Sequence, residues 1–216
     1  MLKTLFFLSI VLNFTSTTAQ DSIVTKSTIE IPDSTIEIPI QNITKLKNGV
    51  LLVRLDFQRR RIDYFEKFQN FKESEKIKME AFEVNQVIVS TFDSIFNFCP
   101  VYFFAIEDSK KILSQNFDEV QFYNSKFETV SNLGLTKYNY LIGEFGFIEQ
   151  DAIDEAVTKS SMSAFVIRDI NFKQLRSPFP YYTRFYPLVK SSQRYNLPVR
   201  KMNKKLNEFA IESSVR

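Results

Sequence analysis

The chain has 216 residues, 44% of them hydrophobic, and its 28 basic and 25 acidic residues leave a net charge of +3. This near balance gives no basis for nucleic-acid binding. Histidine is absent and cysteine occurs once, which excludes Ser-His-Asp catalysis, histidine-ligated zinc and an intramolecular disulfide within this chain. No glycine-rich phosphate-binding motif occurs, and we expect no cofactor.

Residues 1–20 have the layout of a secretory signal peptide: a positive charge at Lys3, a mostly apolar run over Leu5–Asn13, and small residues around Thr17 and Ala19. The run is about half as long as the ~20 apolar residues that cross a bilayer. We therefore expect cleavage after this segment, export to the periplasm or secretion, and no stable membrane insertion afterwards. The alternative is an uncleaved segment that stays associated with the membrane.

A duplicated heptad follows the predicted signal peptide. Ser27–Asp33 and Ser34–Ile40 each begin Ser-Thr-Ile-Glu-Ile-Pro, and the proline in each copy removes a backbone donor from the strand that the alternating residues favour. Two copies are too few for a repeat fold. Residues 21–45 are therefore predicted to be a flexible leader in front of a single domain over residues 46–216. The alternative is a tether, or a strand donated to a partner's sheet.

The first part of the domain has the pattern of a strand, a long helical crossover and a second strand. Val50–Leu55 is a nearly continuous apolar run, as in a strand covered on both faces. Residues 58–97 lack glycine and proline and carry apolar residues at helical spacing, with a break expected near residues 70–72. A second apolar run, residues 101–106, follows Pro100. This βαβ unit predicts two parallel strands.

Shorter elements make up the rest of the chain. The clearest are a strand at residues 138–145, whose alternation suits an edge position, and a strand at residues 164–169. The further predictions are a helix at 109–117, weak strands at 120–123 and 127–130, a helix at 151–159, an aromatic loop at 178–182 and a helix at 198–212. Together they predict a single small three-layer α/β domain with a mainly parallel sheet of four or five strands and a long βαβ crossover helix.

Charged residues follow the predicted strands where the chain leaves the sheet. In an open parallel sheet, ligands bind in the crevice beyond the carboxyl ends of the strands. Charged side chains gathered in this crevice could bind a cation such as Mg²⁺ or a cationic ligand, or share a proton in acid–base catalysis. In the alternative interpretation these residues are structural. Charged residues are common after a strand because the chain reaches the surface there, and Asp108 suits the cap position of a helix. The candidate ligand-binding residues are Asp56, Glu107, Asp108, Arg168 and Asp169.

The aromatic loop at residues 178–182 is the second candidate site. Two prolines two residues apart keep it out of a helix or a central strand, and exposed tyrosines beside arginines make good contacts to proteins, peptides or glycans. In the alternative interpretation the rings close the core, since aromatic side chains usually pack somewhere. The candidate partner-binding residues are Phe179, Tyr181, Tyr182 and Arg184.

The signal peptide and the segments Gly49–Leu55, Phe98–Phe104 and Pro178–Tyr182 resemble small uncharacterised exported α/β proteins of Gram-negative bacteria. The resemblance covers a small part of the chain and implies a cell type, with no activity attached. Cys99 lacks the second thiol of a redox pair and is expected to be a buried small hydrophobe. We therefore expect a non-enzymatic exported accessory protein that binds an envelope protein or glycan. The alternative is a metal-assisted or carboxylate-dependent enzyme with its site at the carboxyl ends of the strands.

Overall fold

The computed structural model describes residues 34–131, 133–136, 139–149, 162–186 and 193–215. All of them belong to one compact unit that spans Asp33–Arg216. The predicted signal peptide, the first copy of the heptad and the helix predicted at residues 151–159 lie outside the described residues. Within the part of the chain that is described, no helix is long and apolar enough to cross a membrane.

The described residues form five α-helices and seven strands. The helices are α1 (Ser34–Lys47), α2 (Arg59–Lys67), α3 (Phe71–Ile95), α4 (Ser109–Leu113) and α5 (Gln193–Ser214). The strands are β1 (Val50–Leu55), β2 (Val101–Ala105), β3 (Phe122–Tyr123), β4 (Thr129–Val130), β5 (Tyr140–Phe147), β6 (Ser163–Arg168) and β7 (Tyr182–Arg184). Short 3₁₀ helices cover Ile106–Asp108 and Phe117–Glu119.

All seven strands belong to one mixed sheet with the order β4-β3-β2-β1-β5-β6-β7. β1 pairs in parallel with β2 and β5, and the other four pairings are antiparallel. The α/β class is therefore confirmed, but the prediction of a mainly parallel sheet of four or five strands is wrong. β3 and β4 show one reason: only residues 124–128 separate them, and so short a connection imposes an antiparallel pair.

The crossover between β1 and β2 consists of two helices, as the sequence predicts. Between α2 and α3, Gln69 has a φ of 57°, and the side chain of Asn70 accepts a hydrogen bond from the backbone N–H of Glu73 at 3.3 Å. An oxygen at this position satisfies one of the unpaired N–H groups at a helix start. The break predicted near residues 70–72 is confirmed, and so is the parallel pairing of β1 with β2.

The second copy of the heptad lies in α1, which differs from the flexible leader that the sequence predicts. Ile43 and Leu46 of α1 are buried in the main core, and their spacing places them on one face of the helix. Burial of this face outweighs the backbone hydrogen bond that Pro39, inside the helix, cannot donate. Residues 34–45 therefore belong to the folded domain, which begins before residue 46.

The two faces of the sheet are covered differently. On one face, Val53 and Phe103 belong to the larger core, packed under α1, α3 and α5. On the other, Leu52 and Phe104 belong to a smaller core under α4 and neighbouring loops. Alternate residues of a strand point to opposite faces, so the unbroken apolar run of β1 serves both cores. β5 lies between β1 and β6, not at the edge suggested for residues 138–145.

Candidate functional site

The parallel strands β1, β2 and β5 end at the same side of the sheet, which we call the carboxyl edge. A cleft of about 390 Å³ opens there between the ends of β1 and β5, the helices α2 and α3, and the start of α5. Because parallel strands send their loops away from this edge, it is the usual place for a ligand in such sheets. The residues of the cleft fall into an apolar wall and a polar rim.

The apolar wall is built mainly from aromatic rings. Phe145, Phe185 and Tyr195 line the cleft and contact one another, with ring centroids 4.9–5.3 Å apart. Burial raises the pKa of the Tyr195 hydroxyl, and Arg194 donates a hydrogen bond to that hydroxyl at 2.6 Å. Ile77 and Val84 of α3 extend the wall. This side of the cleft suits a ring or a hydrocarbon chain.

Asp56 lies on the polar rim, and its carboxylate holds the turn between β1 and α2. It accepts hydrogen bonds from the backbone N–H of Gln58 at 2.8 Å and from the Gln58 side-chain amide at 2.6 Å. Gln58 has a left-handed φ of 56°, a conformation that needs such support in a residue with a side chain. The Asn85 amide also donates to the backbone carbonyl of Asp56 at 3.1 Å. Both carboxylate oxygens of Asp56 are therefore engaged in shaping the rim.

Arg61 and Glu80 are the charged side chains of the rim that are least engaged. The Arg61 guanidinium donates to the Gln58 side-chain oxygen at 3.4 Å, and it forms no ion pair within the described residues. The carboxylate of Glu80 lies 4.0 Å from the Lys76 ammonium, and both side chains are exposed. Such a distant exposed pair contributes little. The Arg61 guanidinium is thus accessible to an anionic group in the cleft.

A charge cluster lies at the base of the cleft, on the face of the smaller core. Arg54 and Arg168 both pair with the carboxylate of Glu144, and Arg168 also pairs with Glu149. Burial lowers the pKa of the Arg168 guanidinium, but its bonds to Glu149 and Glu144 outweigh burial and raise it. The Arg54 guanidinium also stacks on the Phe172 ring at 5.1 Å. The cluster therefore ties β1, β5 and β6 together.

The predicted ligand-binding residues lie at both ends of the sheet. Asp56 lines the cleft, and Arg168 reaches it indirectly, through Glu144. Glu107 and Asp108 follow β2 at the carboxyl edge, where Asp108 pairs with Lys111 at 2.8 Å. Asp169 lies at the opposite end, since β6 runs antiparallel to β5.

Asp169 has a structural role at that opposite end. Its carboxylate accepts hydrogen bonds from the backbone N–H groups of Asn171 and Lys173, both at 2.9 Å, and so stabilises the turn that follows β6. No group of three or more acidic or cysteine side chains among the described residues is arranged to hold a metal ion. The structure does not bring together the carboxylates that the enzymatic alternative requires.

The aromatic loop has mixed exposure. Phe179 is buried in the main core, and its ring lies 6.1 Å from that of Phe209. Tyr181 and Tyr182 are half-buried, with ring centroids 4.9 Å apart, and Arg184 is exposed at the end of β7. The loop therefore closes part of the core and leaves two tyrosines partly exposed. Their role in partner binding stays a prediction.

Cys99, two residues before the start of β2, is buried as expected, and burial raises the pKa of its thiol to about 12. The thiol is therefore protonated near neutral pH, whereas nucleophilic attack requires the thiolate. This agrees with the expectation of a small buried hydrophobe.

Several residues of the cleft are not among the predicted site residues. Glu144 and Arg54 are charged residues inside strands that are otherwise apolar, and opposite charges in two such strands are a usable signal for a buried pair. Arg61 belongs to the densest basic stretch of the chain, three consecutive arginines at the start of a helix, and such a stretch is more often a solvated face than a phosphate site. Phe185 and Tyr195 give no signal, since aromatic residues occur throughout the chain.

The chain matches no protein-family model, and no curated protein or solved structure shows significant similarity to it.

Proposed function

We propose that this chain is an exported, non-enzymatic binding protein of the bacterial envelope, and that its cleft at the carboxyl edge holds a small amphipathic anion. One observation carries the proposal: the same cleft combines the aromatic wall of Phe145, Phe185 and Tyr195 with the accessible guanidinium of Arg61. The wall contacts the apolar part of the ligand. Arg61 binds its carboxylate, sulfonate or phosphate group through charge-assisted hydrogen bonds.

The size of the cleft supports a small ligand. Its volume of about 390 Å³ lies toward the lower end of the range of ~300–1,000 Å³ that is typical of small-molecule sites. A mostly apolar lining with a few placed polar groups is also typical of such sites. A medium-length fatty acid or an aromatic carboxylate fits both the volume and the chemistry.

Among the described residues, two of the three carboxylates that line the cleft, those of Asp56 and Glu144, already have structural partners. The carboxylate of Asp56 holds the turn after β1, and that of Glu144 is held between Arg54 and Arg168. A general base must have its carboxylate free to take a proton from the substrate. These two carboxylates serve the shape of the cleft instead.

Fluorescence titration with anilinonaphthalene sulfonate, an aromatic anion, tests the proposal. The variant Arg61→Gln removes the accessible charge and is expected to weaken binding about tenfold. Arg60→Gln is the matched control, because Arg60 is the preceding exposed residue of α2 and does not line the cleft. Its affinity for the probe is expected to equal that of the unaltered chain.

A second variant tests the apolar wall. Val84→Asp places a charge among the apolar side chains that line the cleft and is expected to abolish the fluorescence enhancement. Circular dichroism establishes that each variant keeps the fold. Equal affinities for Arg61→Gln and Arg60→Gln, or unchanged binding by folded Val84→Asp, would contradict the proposal.

A further inference from the structure

Two opposite charges on the rim of the cleft lack a strong partner within the described part of the chain. Arg61 of α2 and Glu80 of α3 both line the cleft. The Glu80 carboxylate lies 4.0 Å from the Lys76 ammonium, with both side chains exposed, and such a pair contributes little. Arg61 pairs with no described carboxylate, that of Glu80 included. The rim therefore offers a ligand one accessible cation and one accessible anion.

The helix α3 places the Glu80 carboxylate beside the apolar wall. Glu80 lies three residues after Ile77 and four before Val84, so the three side chains share one face of the helix. Ile77 and Val84 belong to the apolar wall. Arg61 lines the same cleft from α2, which packs against α3. A ligand whose apolar part contacts the wall therefore has a cationic and an anionic group beside its polar end.

The charges of the cleft narrow the class of anion that it suits. Among the described residues, two guanidiniums and three carboxylates line it: Arg54, Arg61, Asp56, Glu80 and Glu144. A ligand carboxylate bound to Arg61 lies on the same rim as the carboxylate of Glu80, and like charges at a binding site repel each other. A positive group on the ligand turns this repulsion into attraction. The lining therefore favours a carboxylate that also carries a cation.

We infer that the ligand of the cleft is a free α-amino acid with an apolar side chain. The inference rests on the proposed function, because Arg61 still binds the carboxylate and the wall still contacts the apolar part. Glu80 accepts a charge-assisted hydrogen bond from the ligand's ammonium group. An α-amino acid carries both charged groups on one carbon, so it presents them to one rim while its side chain enters the cleft. Carboxylates without the ammonium are weaker ligands of the same site.

Isothermal titration calorimetry of the full chain with three related ligands tests the inference. L-phenylalanine carries both charged groups, 3-phenylpropionate lacks the ammonium, and phenethylamine lacks the carboxylate. We expect L-phenylalanine to bind about tenfold more tightly than either of the others. Equal affinities for L-phenylalanine and 3-phenylpropionate would overturn the inference and leave the proposed function standing. Failure of both carboxylates to bind, or equally tight binding of phenethylamine, would overturn the inference together with the proposed function.

A single substitution on α3 tests the site of the ammonium group. Glu80→Gln is expected to weaken binding of L-phenylalanine about tenfold and not to weaken binding of 3-phenylpropionate, because the variant also removes the repulsion. The matched control is Glu83→Gln, since Glu83 is an exposed residue of the same helix that does not line the cleft. Its affinities are expected to equal those of the unaltered chain. Equal losses for the two ligands in Glu80→Gln, or equal effects of the two variants on L-phenylalanine, would overturn the inference.

Discussion

The parallel centre of the sheet and its antiparallel flanks differ in burial and in role. β1, the strand between β2 and β5, is apolar along most of its length and supports a core on each face, as expected for parallel strands. The flanking strands β3, β4 and β7 have only two or three residues each. These short outer strands therefore add little buried surface, although the flanking strand β6 is buried along most of its length, and the centre is the part whose strand ends form the cleft.

The same difference explains why the predicted acidic site is divided. Asp56 and Asp108 follow the parallel strands β1 and β2 and share the carboxyl edge. Asp169 follows β6, a flanking strand that runs the other way. A residue at the carboxyl end of a strand reaches the usual ligand crevice only when that strand is parallel to its neighbours.

The largest expected effect compares two aromatic residues that lie opposite each other on β2 and β3. Phe103 of the centre is fully buried, and its register partner Tyr123 on the flank is partly buried. Phe103→Ala is expected to lower the free energy of unfolding by about 3–5 kcal/mol. Tyr123→Ala removes less buried surface and is expected to cost about half as much. Urea unfolding measures both, and equal losses would show that the flank supports the fold as strongly as the centre.

Two glycines of β5 extend the comparison along a single strand. A Cβ atom added at Gly143, which pairs with both β1 and β6, would lie 2.8 Å from Cζ of the buried Phe165 ring. At Gly146, which pairs only with β6, the nearest atom would be 3.5 Å away. Gly143→Ala is expected to cost about 1–3 kcal/mol of stability through overpacking. Gly146→Ala is expected to be close to neutral, and thermal unfolding of the two variants checks the difference.

Two acidic residues of the charge cluster give a smaller contrast. The side chain of Glu144 is 13% exposed between Arg54 and Arg168, whereas that of Glu149, beyond the end of β5, is 52% exposed. Glu144→Ala removes the carboxylate that Arg54 and Arg168 share, and leaves Arg168 paired only with Glu149. It is expected to cost about 1–2 kcal/mol. Glu149→Ala is expected to cost less than about 1 kcal/mol. Equal costs in urea unfolding would contradict the assigned role of the cluster.

The smallest effect at neutral pH belongs to Cys99. Because burial raises its pKa from 9.0 to about 12, the folded state keeps the proton that the unfolded chain releases first. The thiol therefore contributes its full stability below pH 9.0, and this contribution falls as the pH rises toward about 12. Compared with Cys99→Ala, the unaltered chain is expected to lose stability more steeply across this alkaline range. Parallel curves from pH-dependent urea unfolding would contradict the burial of the thiol.

The sequence predicts the centre of the fold better than the flanks, and particular residues show why. The apolar run of β1 and the helical spacing of α3 are local patterns, and Pro100 and Asn70 give local stop and start signals. The direction of β6 depends on its partners, which no local pattern encodes. The heptad copy at residues 34–40 misleads because the helix that contains it is stabilised by tertiary packing of Ile43 and Leu46, which follow the heptad.

The cleft was predictable in position but only partly in composition. Asp56 follows an evident strand, so the carboxyl edge and this residue could be inferred. Arg61 reaches the cleft because α2 packs against α3. Phe185 and Tyr195 come from distant parts of the chain. Such an assembly depends on contacts between elements, which a single sequence does not specify.

Tryptophan reporters placed at the two ends of the sheet give the most direct test of ligand binding in the cleft. Phe185→Trp places a single indole in the cleft, and Tyr102→Trp places one near the amino end of β2. On titration with decanoate, a small amphipathic anion, we expect a saturable change in the emission of Phe185→Trp and none in that of Tyr102→Trp. Arg61→Gln in the first background is expected to shift the midpoint about tenfold. An equal response from both reporters, or a response from Tyr102→Trp alone, would contradict a binding site at the carboxyl edge.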